Sequence, residues 1–159
     1  SNIGEYDQAL NYLNLGLKIC EEQGYKRIMN SYLFLFGEVH LLKGEYDQAL
    51  GYYTRALNNI EELGDEYRLE MITNPSLLHK YLGKEYDLQE IHKLIDKTDE
   101  IDYKTNFSLY RLLDDRLYLE KAYYQIQEKG NAMEENVRKK FFTFPIPKRI
   151  IEKYNSESA

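Results

Sequence analysis

The chain has 159 residues, one domain's worth or a short repeat array, and is long enough to bury a core without staples. Its net charge of −6 argues against general nucleic-acid or anionic-membrane binding, and its one cysteine excludes an internal disulfide framework and suits a reducing, cytoplasmic setting. Sixteen Tyr, no Trp, three Pro and almost no Val fit helices rather than a parallel sheet, and no apolar run or basic leader marks a membrane span or signal peptide.

The first element opens on GEYDQAL, residues 4–10, which returns unchanged at residues 44–50. The spacing of 40 residues, from 4 to 44, is repeated once more: EYD recurs at residues 85–87. Repeats of this length mark stacked helical units. Gly4 would be a mid-unit turn, so the first unit would lack its first helix. That leaves Tyr6, Leu10, Leu13 and Leu17 without a partner, and predicts an N-terminal edge open to self-association. It also marks the chain, as an expectation, as the C-terminal piece of a longer one.

A helix is predicted over residues 25–42, with Ile28, Tyr32, Leu35, Phe36, Val39 and Leu42 on its apolar face and a stop at Gly44. The next carries Tyr46, Ala49, Leu50, Tyr53, Ala56, Leu57 and Ile60 at steps of three and four, and ends at Gly64 as a C′ glycine. Each unit is therefore a helix–turn–helix pair that buries its face only by stacking.

The stretch YLFLFGEVHLLKGEYDQALGYYTRAL, residues 32–57, resembles a tetratricopeptide repeat. Gly37 matches the family's small residue in the first helix, Gly44 its turn glycine and Tyr46 the tyrosine after it. Ala49, Leu50, Tyr53 and Ala56 match the second helix; Gly4, Tyr6 and Ala9 are their counterparts in the first unit. The resemblance implies an all-α, right-handed α-α superhelix: a solenoid of antiparallel helix pairs over residues 1–130, with capping helices and a tail at 131–159. The 40-residue length is similar to the longer variety in kinesin light chains and many bacterial signalling proteins, against about 34 residues usually. Gly16 departs from the pattern where the next unit has Ala56. In the third unit Gln89 and Glu90 replace Ala49 and Leu50, and a shifted face of Leu88, Ile91, Leu94 and Ile95 takes over.

Farther along, TNPSLL at residues 73–78 places Pro75 where a helix is due. A break or sharp kink is expected, with Asn74 as N-cap and Pro75 at the first helical position. Residues 103–130 read as a helix pair turning near Asp114 and Asp115. Residues 136–154 give a short helix, a Pro145–Pro147 corner and an amphipathic end helix with Ile150, Ile151 and Tyr154. Residues 118–154 are also similar to segments that end tetratricopeptide arrays in bacterial multidomain proteins, where the array follows a cyclase, kinase or ATPase module. The matching features are Ala122–Tyr123, the step from Arg138 to Phe141 and the two prolines.

No catalytic signature stands out. His40, His79 and His92 are dispersed and lack metal-ligand spacing. Cys20 reads as a small packed residue. DKTDEID, residues 96–102, lacks the rhythm and glycine of a calcium loop. Arg138, Lys139, Lys140, Lys148 and Arg149 read as the charged face of a capping helix. The expectation is a non-enzyme with no cofactor and no metal.

The resemblance implies a concave surface lined by first helices: Ser31, Phe34, Glu38 and Leu41 in one unit, Met71, Asn74, Leu78 and Tyr81 in the next. Phe34, Leu41 and Leu78 fit equally as core. Family members that hold acidic chaperone C-termini use a Lys/Asn/Arg clamp on this face, which Ser31, Phe34 and Glu38 do not supply. The implied partner is an apolar or basic protein or peptide, with neither nucleic acid nor membrane as ligand. Three functions compete: a regulatory interaction scaffold of a larger bacterial signalling protein, a peptide-sensing regulator of the quorum type, and a self-association module.

Overall fold

A computed structural model describes residues 3–58 and 65–158, and these residues form nine helices and no strand. They are α1 (Ile3–Gln23), α2 (Lys26–Lys43), α3 (Tyr46–Leu57), α4 (Asp65–Tyr81), α5 (Leu88–Lys97), α6 (Tyr103–Leu113), α7 (Arg116–Asn131), α8 (Glu135–Phe141) and α9 (Pro145–Ser158). The chain divides into two compact units, Ser1–Leu94 and Ile95–Ala159. This differs from the expected division at residue 130. The reason lies in one apolar cluster, which joins Phe107 of α6 and Leu119, Ala122 and Ile126 of α7 to Phe141 and Ile150 of the last helices. Residues 103–130 thus share their core with the C-terminal segment.

In the first unit, α1 packs on α2, α2 on α3 and α3 on α4. Gly44 ends α2 with φ 77° and ψ 13°, a left-handed conformation that glycine enters without a Cβ penalty. Its N–H donates to Leu41 O at 3.0 Å, and Glu45 N–H donates to His40 O at 2.9 Å, which pairs two otherwise unsatisfied carbonyls. Gly4 is different: it lies inside α1 and its φ is not positive, so it is not a turn. The helix continues one turn upstream of Tyr6 because nothing local stops it. The expected end at Gly64, and Ile60 on that face, lie outside the described residues.

The interior of this unit is Leu33 and Phe34 of α2, Ala49, Tyr53 and Ala56 of α3, and Met71 and Leu78 of α4. Gly37 sits under the Tyr53 ring, where a Cβ would stand 2.5 Å from Tyr53 Cε1. Gly16 serves α1 in the same way, with a hypothetical Cβ 2.3 Å from Tyr32 Cζ. The departure at Gly16 therefore has a steric cause: Tyr32 occupies the space that a methyl would need.

Pro75 does not break its helix; α4 runs through it from Asp65 to Tyr81. An interior proline costs about 3 kcal/mol. Leu69, Met71, Leu77 and Leu78 are buried on either side of it, and each such side chain contributes about 1.5–3 kcal/mol. Packing therefore outweighs the break. Thr73 Oγ1 donates to Leu69 O at 2.6 Å in the preceding turn.

The third EYD does not repeat its earlier role. Asp47 lies within the first turn of α3, whereas Asp87 precedes α5 and its Oδ1 accepts the Glu90 N–H at 3.0 Å. The shifted face follows expectation at Ile91 and Leu94, both buried; Ile95 is half-buried and Leu88 is largely exposed. Glu90, standing where Leu50 stands earlier, pairs with Arg68 at 3.0 Å.

In the second unit, Asp102 caps α6, its Oδ1 accepting the Thr105 N–H at 2.7 Å. Asp114 is left-handed at φ 54°, and Asp115 Oδ1 accepts the Leu117 N–H at 3.0 Å at the start of α7. The two aspartates thus build the α6–α7 turn that the sequence places there. Pro145 opens α9 at its first position, where its missing N–H costs nothing. Tyr154 of α9 stacks on Tyr123 of α7, ring centroids 3.8 Å apart and planes 7° apart.

Candidate interaction surface

The run Tyr32–Leu33–Phe34–Leu35–Phe36 is five apolar residues on one helix, and a helix cannot turn all of them inward. Leu33, Phe34, Phe36 and Gly37 take the buried arc. Leu35 is left 40% exposed and Ile28 49% exposed, although both were expected on the core face. With Ser31 exposed between them and Glu38 half-buried, they form a stripe at steps of three and four along α2.

The eight residues expected to line a concave face separate accordingly. Phe34, Met71 and Leu78 belong to the core, and Leu41 packs against it half-buried. Asn74 is buried, and its Nδ2 donates to Tyr53 Oη at 3.4 Å. Tyr53 is fully enclosed; burial foremost, then the carboxylates of Glu38 and Glu70, raise its hydroxyl pKa well above the ordinary value. Ser31 and Tyr81 are exposed, the Tyr81 ring lying 5.6 Å from that of Tyr46. Of the two readings left open for Phe34 and Leu78, the core reading describes their positions. The exposed stripe lies beside Phe34, through Leu35.

The α1 edge shifts in a similar way. Tyr6, Leu10, Leu13 and Leu17 are each half-buried rather than bare, and Leu17 packs against the core of the unit. The face left uncovered is Tyr12, Leu15 and Ile19, at 65%, 63% and 58% exposure. Sequence reasoning missed these residues, yet a signal exists in the repeat. Leu15 and Ile19 occupy the positions of Arg55 and Asn59, so two polar residues of one unit are apolar in the other.

A polar cluster ties the α1–α2 pair to the turn at Gly44. Lys43 Nζ lies 3.3 Å from Asp7 Oδ1 and 3.1 Å from Glu45 Oε1, and His40 Nδ1 lies 2.5 Å from Glu45 Oε2. The hydrogen bond from His40, then that from Lys43, holds the Glu45 carboxyl below its ordinary range. The His40 ring also stacks on Tyr52 at 5.3 Å, and Phe36 stacks on Tyr52 at 4.9 Å. His40 is thus engaged in helix packing, while His79 is half-buried and His92 exposed. Cys20 is buried and unpaired.

Among the described residues, no group of three or more His, Cys, Asp or Glu side chains is placed to hold a metal ion, and no helix is long and apolar enough to cross a membrane. The basic segment near the C-terminus is partly neutralised along its own helices: Lys139 pairs with Glu135 at 2.7 Å and Lys148 with Glu152 at 4.0 Å. No family model, curated protein or solved structure matches the chain.

Proposed function

We propose that the chain is a binding scaffold for protein or peptide partners, built as a right-handed solenoid of the tetratricopeptide type and acting by recognition rather than catalysis. The observation that carries this reading is the succession α1–α2–α3–α4, in which each helix packs on the next and the two copies of GEYDQAL lie at the starts of α1 and α3. Such a stack leaves one stripe of every helix for a ligand. On α2 that stripe is Ile28, Ser31, Leu35 and Glu38, and Tyr81 adds an aromatic surface on α4. The mixture of exposed apolar side chains with a carboxylate, in a chain of net charge −6, favours apolar or basic segments over acidic ones. We assign the scaffold to the cytoplasm, as the regulatory region of a larger bacterial signalling protein; the buried free Cys20 is consistent with that compartment.

The test is binding of helical peptides of matched length and opposite net charge. Basic amphipathic peptides should bind the wild-type chain, and Leu35→Asp should weaken that binding at least about tenfold, or about 1.4 kcal/mol, with far-UV circular dichroism unchanged. Preferential binding of acidic peptides, or binding indifferent to Leu35→Asp and Ile28→Asp, would sink the assignment of this stripe.

A further inference from the structure

We infer that the exposed face of α1 is the seat of a basic amphipathic helix, which covers Tyr12 as α2 covers Tyr52 and, unlike α2 on α3, extends over the neighbouring positions 15 and 19. This rests on the binding-scaffold reading and names a second surface within it. The repeat supplies the template, because α1 and α3 share YDQAL near their starts, yet among the described residues a helix packs over Tyr52 of α3 and none over the matching side of α1. On α3, Tyr52 is covered by two rings one turn apart on α2, Phe36 at 4.9 Å and His40 at 5.3 Å. Its counterpart on α1, Tyr12, is 65% exposed.

The neighbouring positions strengthen the inference. Arg55 of α3 is exposed and lies 5.8 Å over the Tyr52 ring, a polar edge suited to water. The matching residue of α1 is Leu15, 63% exposed, and one turn on is Ile19, 58% exposed. Tyr12, Leu15 and Ile19 fall at steps of three and four, the footprint of one helix. A solvated face has no use for that exchange; a covered one does.

Charge selects the occupant. At helical spacing Glu5 and Glu22 flank the Tyr12–Leu15–Ile19 stripe near its two ends, both exposed, whereas Asp7 is turned to Lys43 of α2. A ligand helix that crosses this face meets carboxylates near both ends. It should therefore carry an apolar stripe with two aromatic or imidazole rings one turn apart, flanked by Lys or Arg.

The chain contains a helix of that chemistry. Residues 26–43, KRIMNSYLFLFGEVHLLK, carry Lys26, Arg27 and Lys43 against Glu38, with Phe36 and His40 one turn apart. The experiment uses this segment as a synthetic peptide, fluorescently labelled and held helical by a side-chain link, titrated into the full chain. Binding with a Kd on the order of 10 μM is expected. Leu15→Asp and Ile19→Asp should each weaken it at least about tenfold, equivalent to about 1.4 kcal/mol. Both residues are largely exposed, so the variants should retain wild-type circular dichroism. A peptide with Lys26, Arg27 and Lys43 changed to Glu should bind at least about tenfold more weakly. No binding, or binding that both variants retain, overturns the proposal. Sedimentation of the chain alone provides the other arm: a wild-type dimer made monomeric by Leu15→Asp would assign the face to a second copy and overturn it as well. Leu35→Asp should leave this peptide's affinity unchanged, so failure here and failure of the α2 stripe are read separately.

Discussion

Gly37 of α2 lies directly beneath the ring of Tyr53 of α3, so close that a Cβ at position 37 would stand 2.5 Å from Cε1. The ring is fully buried and contacts Phe34, centroids 5.2 Å apart, so it has nowhere to retreat. Two effects oppose each other in Gly37→Ala. Helix propensity favours alanine by about 1 kcal/mol, whereas overpacking costs about 1–3 kcal/mol. The clash should win, and urea unfolding should show a net loss. Gly51→Ala is the control: it is helical, exposed and has nothing within 4 Å. It should gain about 0.5–1 kcal/mol.

The same tyrosine provides a second test through its hydroxyl. Tyr53→Phe removes the acceptor of Asn74 Nδ2 in a buried site. A loss of about 1 kcal/mol is expected from chemical denaturation. Tyr53→Phe combined with Asn74→Leu should recover most of it, since removing both partners leaves no buried donor unsatisfied.

Asp102 caps α6 while Glu45, preceding α3, makes no side-chain cap. Asp102→Ala should destabilise the second unit by about 1 kcal/mol. Glu45→Ala should change helix stability far less, losing only its half-exposed pairs with His40 and Lys43. Thermal melts of the two variants, compared at pH 7, decide this.

The end of α9 should respond to pH. Tyr110 Oη donates to Glu157, and Arg116 Nη1 donates to Glu157 O at 2.9 Å. Burial, then the Glu157 carboxylate, pushes the Tyr110 hydroxyl up to about 12 from an ordinary 10.0. A raised folded-state pKa means its contribution is complete below pH 10 and is lost as pH rises through about 12. Hydrogen bonding from Tyr110, then from Lys153, lowers the Glu157 carboxyl from 4.5. Its contribution is present above that value and is lost as pH falls through the lowered one. Tyrosine absorbance at 295 nm should lose a group that titrates at about 12 in Tyr110→Phe, while the still later titration of buried Tyr53 remains. The acid limb of stability should weaken in the same variant.

Much of the architecture is legible in the sequence because it rests on local rules. Gly44 fixes the end of α2, Asp114 and Asp115 mark the α6–α7 turn, and Pro145 marks the start of α9. What resists reading depends on tertiary packing. Pro75 carries a breaker's propensity, but flanking buried leucines keep α4 whole. Five consecutive apolar residues in α2 give no period from which to choose Phe34 or Leu35 as the one left outside. The candidate surfaces inherit that ambiguity: on α2 Leu35 stands outside in place of Phe34 while Ser31 and Glu38 lie as expected, and on α1 Tyr12, Leu15 and Ile19 occupy a different side from Tyr6, Leu10, Leu13 and Leu17. Leu15 and Ile19 become visible only when one repeat is aligned on the other and polarity is compared position by position.

The paired glycines have a consequence for fidelity during folding. Two identical heptapeptides in one chain invite exchange, with α3 entering the place of α1 on α2. Gly16 leaves room for Tyr32, but α3 has Ala56 at the matching position, and a Cβ there would lie 2.3 Å from the Tyr32 ring. In the reverse exchange, α1 would bring Leu13 to the spot where Tyr53 covers Gly37, leaving the ring's volume unfilled. Each helix is thus keyed to its own neighbour, α1 by the methyl that Gly16 lacks and α3 by the ring that Tyr53 supplies, and the duplicated segment cannot trade places with its copy without cost.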